Sequence, residues 1–197
     1  MYECSLYGMT TQLKHLHMIL SYKNFIPQKI ARIDTYLKSK DHKIILQSCS
    51  NSNFLIYKNE PDPTKTLKTI INKINRSEVL NCEDTISFLN LANFKQEKKL
   101  FVEGIEYVKD NIHIEVTVHS ITNSDIIINE AFMENFIRNY MTNEIDNSLF
   151  NSCETFFVKI YTFAQTSEEG ENLVFSESIN LKKYINLQKP PVNFFKK

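Results

Sequence analysis

The chain has 197 residues, of which 23 are Lys or Arg and 23 are Asp or Glu, for a formal net charge of +0 at pH 7, and 42% are hydrophobic. That supply supports one sizeable core, so a single domain over residues 1–197 is expected. The balanced charge argues against a general nucleic-acid binder, which carries a clustered basic excess, so no direct sequence-specific contact with nucleic acid is expected. No run approaches the roughly 20 apolar residues of a membrane span. Cys4, Cys49, Cys82 and Cys153 form no CxxC pair, which argues against a zinc knuckle and a disulfide framework. The opening MYECSLYG lacks the basic and apolar regions of a signal peptide. A soluble intracellular protein with reduced thiols is expected.

In chain order, Met1 to Tyr7 reads as a strand broken at Gly8. Leu13, Leu16 and Leu20 then recur at helical spacing behind Thr10 and Thr11. Pro27 marks a loop. KIARIDTYLK, HKIILQS and NFLIYK read as short antiparallel strands separated by polar breaks, and NEPDPTK as a turn. LKTIINKINRSEVL suits a helical stripe or a strand, with a lean to helix from periodicity. Asn81 is a candidate N-cap with Glu83 and Asp84 in the first turn, for a short helix ending near Phe94. LFVEGIEYV is a strand whose Gly104 signals a bulge, a bend or the close approach of another backbone. KDN turns the chain into NIHIEVTVH, where Ile112, Ile114, Val116 and Val118 alternate with His113, Glu115, Thr117 and His119, the period of a half-buried strand. Residues 125–152 hold a candidate helix, NEAFMENFIRNYMTNEI. ETFFVKIYTFAQ is a strong strand, SEEG a loop with a candidate helix N-cap, and NLVFSESINLKKYINL a last helix stopped by Pro190 and Pro191.

No chemistry-bearing motif stands out. Glycines occur only at positions 8, 104 and 170, too scattered for a phosphate loop or a dinucleotide fingerprint. His15 and His17 point to different helix faces. His113 and His119 share a strand face but are too far apart to chelate one metal, and no GxSxG elbow occurs. Glu103 and Glu115 stand as single carboxylates. No catalytic residue, metal site or cofactor is expected. The informative surplus is aromatic, at 14 Phe and 9 Tyr. Strand aromatics on both faces need two buried environments, which a covering helix or a partner protein can supply. Tyr107, Phe157, Tyr161 and Phe163, read as lying opposite the main apolar row, are the candidate partner-binding residues.

Three stretches carry a resemblance: MYECSLYG, SFLNLANFKQEKKLFVEGIEYVKDNIHIEVTV, and FFVKIYTFAQ through NLKKYINLQKP. In order and spacing the chain resembles the family of Mediator subunit 18. Asn93 and Asp110 stand where that family commonly has Gly. The resemblance implies a mainly β (α+β) fold, a closed multi-stranded antiparallel β-barrel flanked by a few helices and similar to the RNA triphosphatase barrel. It makes LKTIINKINRSEVL a strand. It implies a nuclear, non-catalytic scaffold of the Mediator head module. The implied partners are Mediator subunit 20, as a heterodimer, and the C-terminal helix of Mediator subunit 8, with RNA polymerase II reached indirectly. The alternative, a triphosphate-tunnel enzyme, needs an ExExE strand to hold a divalent cation, and no such strand occurs here.

Overall fold

A computed structural model describes residues 1–49, 52–59, 68–80, 84–122 and 155–190. Period-two strands and three short helices account for nearly all of them. The strands are β1 (Tyr2–Thr10), β2 (Ile26–Lys38), β3 (Lys43–Ser48), β4 (Asn53–Lys58), β5 (Ile70–Val79), β6 (Lys95–Lys109), β7 (Ile112–Ile121) and β8 (Phe156–Ala164). The helices are α1 (Leu13–Tyr22), α2 (Thr85–Leu91) and α3 (Ser167–Leu181). All pairings are antiparallel, and the strands close into a barrel in the order β1-β5-β4-β3-β2-β6-β7-β8. LKTIINKINRSEVL is a strand, β5, as the family resemblance implied and against its helical periodicity. The helix expected at NEAFMENFIRNYMTNEI lies outside the described residues.

Closure gives β1, β8 and the middle of β6 and β7 two covered faces of opposite chemistry. On β1, β6, β7 and β8 the apolar row points outward. Cys4, Leu6, Ile105, Tyr107, Ile114, Val116, Phe156, Val158 and Ile160 pack with Leu13, Leu16 and Leu20 of α1 and Val174 and Leu181 of α3 in one cluster. A smaller cluster joins Leu37 and Leu46 to Leu89 of α2. The polar row points into the lumen. The greasy core is therefore a layer between barrel and helices.

Both α1 and α2 stop in the same way. Asn24 and Asn93 have φ of 64° and 63°. Asn24 N–H donates to Ser21 and Phe25 N–H to Leu20, each at 3.0 Å; Asn93 N–H donates to Asn90 and Phe94 N–H to Leu89, again at 3.0 Å. These are Schellman motifs with Asn in the left-handed position, and Phe25 and Phe94 supply the apolar contact that accompanies the turn. Asp110, in the β6–β7 turn, has φ of 51°. Asn93 and Asp110, where the resemblance implied Gly, are thus both left-handed, a conformation Asn and Asp tolerate better than other side chains.

Several boundaries differ from the sequence reading. Pro27 lies inside β2, not in a loop. Its cross-strand neighbour is Tyr107 on β6, and β3 joins β2 only from Ile33, so a residue without N–H sits at an edge. Asp84, not Asn81, caps α2, its side chain accepting from Ser87 N–H at 2.9 Å. SEEG is the first turn of α3: Thr166 Oγ1 accepts from Glu169 N–H, and Glu168 and Glu169 favour the helix dipole there. That helix ends at Leu181 well before the prolines, tightened by Lys182 N–H to Ile179 and Tyr184 N–H to Leu181. The chain then runs back so that Tyr7 and Gln188 exchange both backbone hydrogen bonds, at 3.0 and 2.8 Å. This strap lies along the part of β1 beyond Ser5, where the β1–β5 register ends.

Gly104 answers the expectation placed on it: a Cβ there would lie 2.1 Å from the Val116 carbonyl oxygen across β6–β7. Gly170 lets α3 settle on β1, since its Cβ would come within 2.7 Å of Cys4 Sγ. In urea titration, Gly104→Ala is expected to lose about 4 kcal/mol or more, because two backbones must part. Asn93→Val is expected to lose about 1–2 kcal/mol, while Asn93→Gly stays within about 1 kcal/mol of the parent. A parent-like midpoint for Asn93→Val would remove the left-handed cap from the account of α2.

Candidate functional site

The inward faces of the strands build a charged lumen. Cross-strand register places Glu106 of β6 directly opposite Glu115 of β7, and Arg32 of β2 opposite Val102 of β6, which in turn faces His119. Glu3 on β1 pairs with Asn72 on one side and Phe163 on the other. Carboxylates that stand singly along each strand therefore meet across strands, and this was invisible to a strand-by-strand reading.

Two ion-pair centres organise the interior. In the first, Glu3, 3% exposed, lies between Lys58 Nζ at 3.0 Å and Lys159 Nζ at 3.1 Å. Burial opposes its charge; Lys159 and Lys58 overcome that and hold the carboxyl below its ordinary range. In the second, Arg32 meets Glu115 in a two-pronged contact, Nη1 to Oε1 at 2.9 Å and Nη2 to Oε2 at 3.0 Å. Arg32 Nε also lies 3.3 Å from Asp34, whose Oδ1 accepts from Gln47 Nε2 at 3.2 Å. Burial disfavours the guanidinium charge, but Glu115 and Asp34 raise its pKa above the ordinary value. The Glu115 carboxyl, disfavoured by burial, is held low by Arg32. This fork of parallel N–H···O bonds is the strong form of a carboxylate pair.

The Glu106–Glu115 repulsion is bridged. Tyr161 Oη donates to Glu106 at 2.6 Å and to Glu115 at 3.3 Å. His113 Nδ1 lies 2.9 Å from Glu106, and Gln28 Nε2 donates to it at 2.6 Å. Burial would push Glu106 up, yet the hydrogen bonds from His113, Tyr161 and Gln28 bring it down to about 2. Burial and then the two glutamates raise the Tyr161 phenol well above its ordinary value. Among the described residues no group of three or more His, Cys, Asp or Glu is arranged to hold a metal ion.

The four candidate partner-binding aromatics separate. Tyr107 is fully buried on the same outer face as the apolar row, and not opposite it, because Tyr107 pairs with Ile114 across β6–β7. Its hydroxyl lies 2.9 Å from His17 Nδ1, which anchors α1. Phe157, Tyr161 and Phe163 do lie opposite the apolar row, facing the lumen. Tyr161 is buried and stacks on His113 at 5.0 Å. Phe163 and Phe157 are half-buried: Phe163 packs edge-on against Tyr161 at 5.4 Å, and Phe157 tilts against Tyr7 and His119. Glu103 lies on the outer face and is pushed up by burial. The residues missed by sequence reasoning are Arg32, Lys58, Lys159 and Asp34. Their only signal was period-two placement opposite apolar neighbours, which cannot reveal the register between strands.

The lumen makes stability acid-sensitive. Glu106 is depressed from 4.5 to about 2, so its stabilisation is whole above about pH 4.5 and is lost as pH falls through about 2. Glu3 and Glu115, also lowered, act in the same direction. The urea midpoint is expected to fall steadily between pH 5 and 2, with a shallower slope in Glu106→Gln. Arg32→Met strands Glu115 and Asp34 and should cost about 3–5 kcal/mol, part of which Glu115→Leu on the same background restores. A midpoint unmoved by Arg32→Met would mean the fork contributes nothing net.

The comparisons accord with this barrel. The sequence profile of the family described as Med18 protein matches residues 6–195. A sequence search of curated proteins finds no match. Among solved structures, a chain of the Schizosaccharomyces pombe Mediator head module superposes with a TM-score of 0.73 at 14% identity, covering 96% of this chain and 99% of that one. The PH1012 protein of Pyrococcus horikoshii gives 0.62 at 11% identity, covering 93% and 94%. A conserved hypothetical protein of Pyrococcus furiosus gives 0.59 at 13%, again covering 93% and 94%. At these identities the superpositions establish the shared barrel, and the profile match over nearly the whole length establishes kinship. The chain belongs to the Med18 protein family, a subunit family of the transcriptional coactivator Mediator.

Proposed function

We propose that the chain is a non-catalytic scaffold subunit of the Mediator head module. In this reading it works in the nucleus as one domain, 1–197, and links regulators to RNA polymerase II through protein contacts. It pairs with Mediator subunit 20 and receives the C-terminal helix of Mediator subunit 8. The observation that supports a scaffold is the state of the lumen. Glu3, Asp34, Glu106 and Glu115 are each held by lysine, arginine, histidine, tyrosine or glutamine side chains, so the acids that would seat a divalent cation and the bases that would clamp phosphates neutralise one another. Phosphoryl transfer needs both sets free to meet substrate charge. The same crowding with charge disfavours a small-ligand barrel, whose cavity is mostly apolar.

Of the four aromatics first considered for partner contact, Phe157 and Phe163 are carried forward, because both keep surface at the lumen ends. Tyr107 and Tyr161 are assigned structural work through His17 and the glutamates. Affinity purification from native extract is expected to bring down Mediator subunits 20 and 8. Phe157→Ser and Phe163→Ser should weaken that recovery while leaving the melting temperature of the chain near the parent value. Tyr161→Ser should instead destabilise the chain by about 3 kcal/mol, since it uncouples two facing carboxylates. Metal-dependent release of phosphate from a nucleoside triphosphate, abolished by Glu3→Gln or Glu115→Gln, would sink the scaffold reading.

A further inference from the structure

The closed sheet is not joined equally on all sides. Between β1 and β5 the register holds only Tyr2–Ser5 against Ile70–Lys73, four residues on each strand and the shortest ladder among the described residues. The other edge of β1 pairs with β8 over nine residues, and β6 pairs with β7 over ten. A short ladder contributes few backbone bonds and few cross-strand pairs, so side chains must hold this joint. Two carboxylates do so, one on each side of the sheet. Inside, Glu3 of β1 reaches past β5 to Lys58 of β4 at 3.0 Å, while Lys159 of β8 holds it at 3.1 Å from the other side. Outside, α3 is seated on β1, where Gly170 meets Cys4. From the next residue, Glu171 Oε1 accepts from the backbone N–H groups of Lys68 and Thr69, the second at 3.2 Å. The Lys68 ammonium lies 4.5 Å from the ring centroid of Phe175, one helical turn further on. The helix that rests on β1 thus grips the entry to β5. Beside this outer clasp sits a defect. Thr69 is fully buried, and among the described residues its Oγ1 is the buried side-chain polar atom with no hydrogen-bond partner. Such a hydroxyl weakens the closed joint and regains its hydrogen bonds from water when the joint parts.

We propose that the joint between β1 and β5 is a built-in opening in the wall of the barrel, kept shut by Glu3 from inside and Glu171 from outside. There β5, with β4 behind it, parts from β1 while the ladders among β6, β7, β8 and β1 stay closed. Proteins open locally in cooperative units well before they unfold, and the weakest-held element leads. The short ladder, the two single-residue clasps and the orphaned Thr69 hydroxyl all fall on this one line. Opening withdraws Lys58 from Glu3, admits water to the charged lumen through its side, and bares one edge of each strand. The lumen is then reached by a route other than its two ends. This motion needs no other subunit, so it stands apart from the contacts proposed above.

The test is amide hydrogen exchange, read residue by residue by NMR on the full chain. Ile74 N–H donates to the Met1 carbonyl across the joint at 2.9 Å, a bond that involves neither carboxylate, so its exchange reports the opening itself. In the parent it is expected to exchange at least about tenfold faster than the slowest amides of β6 and β7. Glu171→Ala and, separately, Glu3→Gln should speed Ile74 exchange by a further fivefold or more, roughly, with the β6 and β7 amides changed less than about twofold. Glu171→Gln should restore most of the parent rate, because its amide oxygen still accepts from both N–H groups. Thr69→Val should act with the opposite sign and slow Ile74 exchange, since it deletes the orphaned hydroxyl at nearly constant shape. Glu171 is half-buried at the surface, so Glu171→Ala decides the matter if Glu3→Gln fails to fold. Parent exchange at Ile74 as slow as in β6 and β7, equal acceleration of all strands in Glu171→Ala, or faster exchange in Thr69→Val would overturn the proposal.

Discussion

Everything in the barrel depends on charge compensation inside a closed sheet. Seen strand by strand, the inward row looks like a solvated polar face. Closing the sheet removes that row from water, and each carboxylate then needs a partner within hydrogen-bond reach or a neutralising proton. Arg32 and Glu115 meet this demand on one side and Glu3 with Lys58 and Lys159 on the other. Because those partners come from β1, β2, β4, β7 and β8, the compensation also fixes the register of strands remote in sequence. An apolar filling would pack as densely and discriminate less among registers, since a one-residue slip turns every side chain to the opposite face.

The outer layer follows from the inner one. With polar residues committed inward, the apolar row must be covered from outside, and α1 and α3 do this over β1, β6, β7 and β8. Local devices secure the cover. Thr166 starts α3, asparagines in the left-handed position end α1 and α2, and the absence of a side chain at Gly170 brings α3 down onto Cys4. The His17–Tyr107 contact adds a polar pin through an otherwise apolar layer.

What the sequence made legible divides along the same line. The alternation in NIHIEVTVH, the leucine stripe of α1 and the warning at Gly104 are local signals, and each was readable because its cause lies within a few residues. The family resemblance recovered what periodicity misjudged, namely that LKTIINKINRSEVL is a strand. The lumen was hidden, because the meeting of Glu106 with Glu115, or of Lys58 with Glu3, is a property of pairing between strands. Tyr107 was misread for a related reason: its face is set by its register with Ile114, not by its neighbours in sequence. Pro27 shows the remaining limit, since a punctuation residue marks a turn only where no sheet edge can use it.

The seam between β1 and β8 has a consequence for how the molecule comes into being. The first strand pairs with the stretch that ends at Ala164, and its far edge receives a backbone bridge from Gln188. During synthesis β5 can pair with one edge of this strand early, but the edge that faces β8 must wait, its backbone groups bare, until residues 156–164 have left the ribosome. Joining ends so distant in sequence makes closure slow relative to helix formation and leaves a sticky edge in the interval. Such a protein gains from a chaperone, or from a companion subunit that shelters the nascent sheet before the ring is shut.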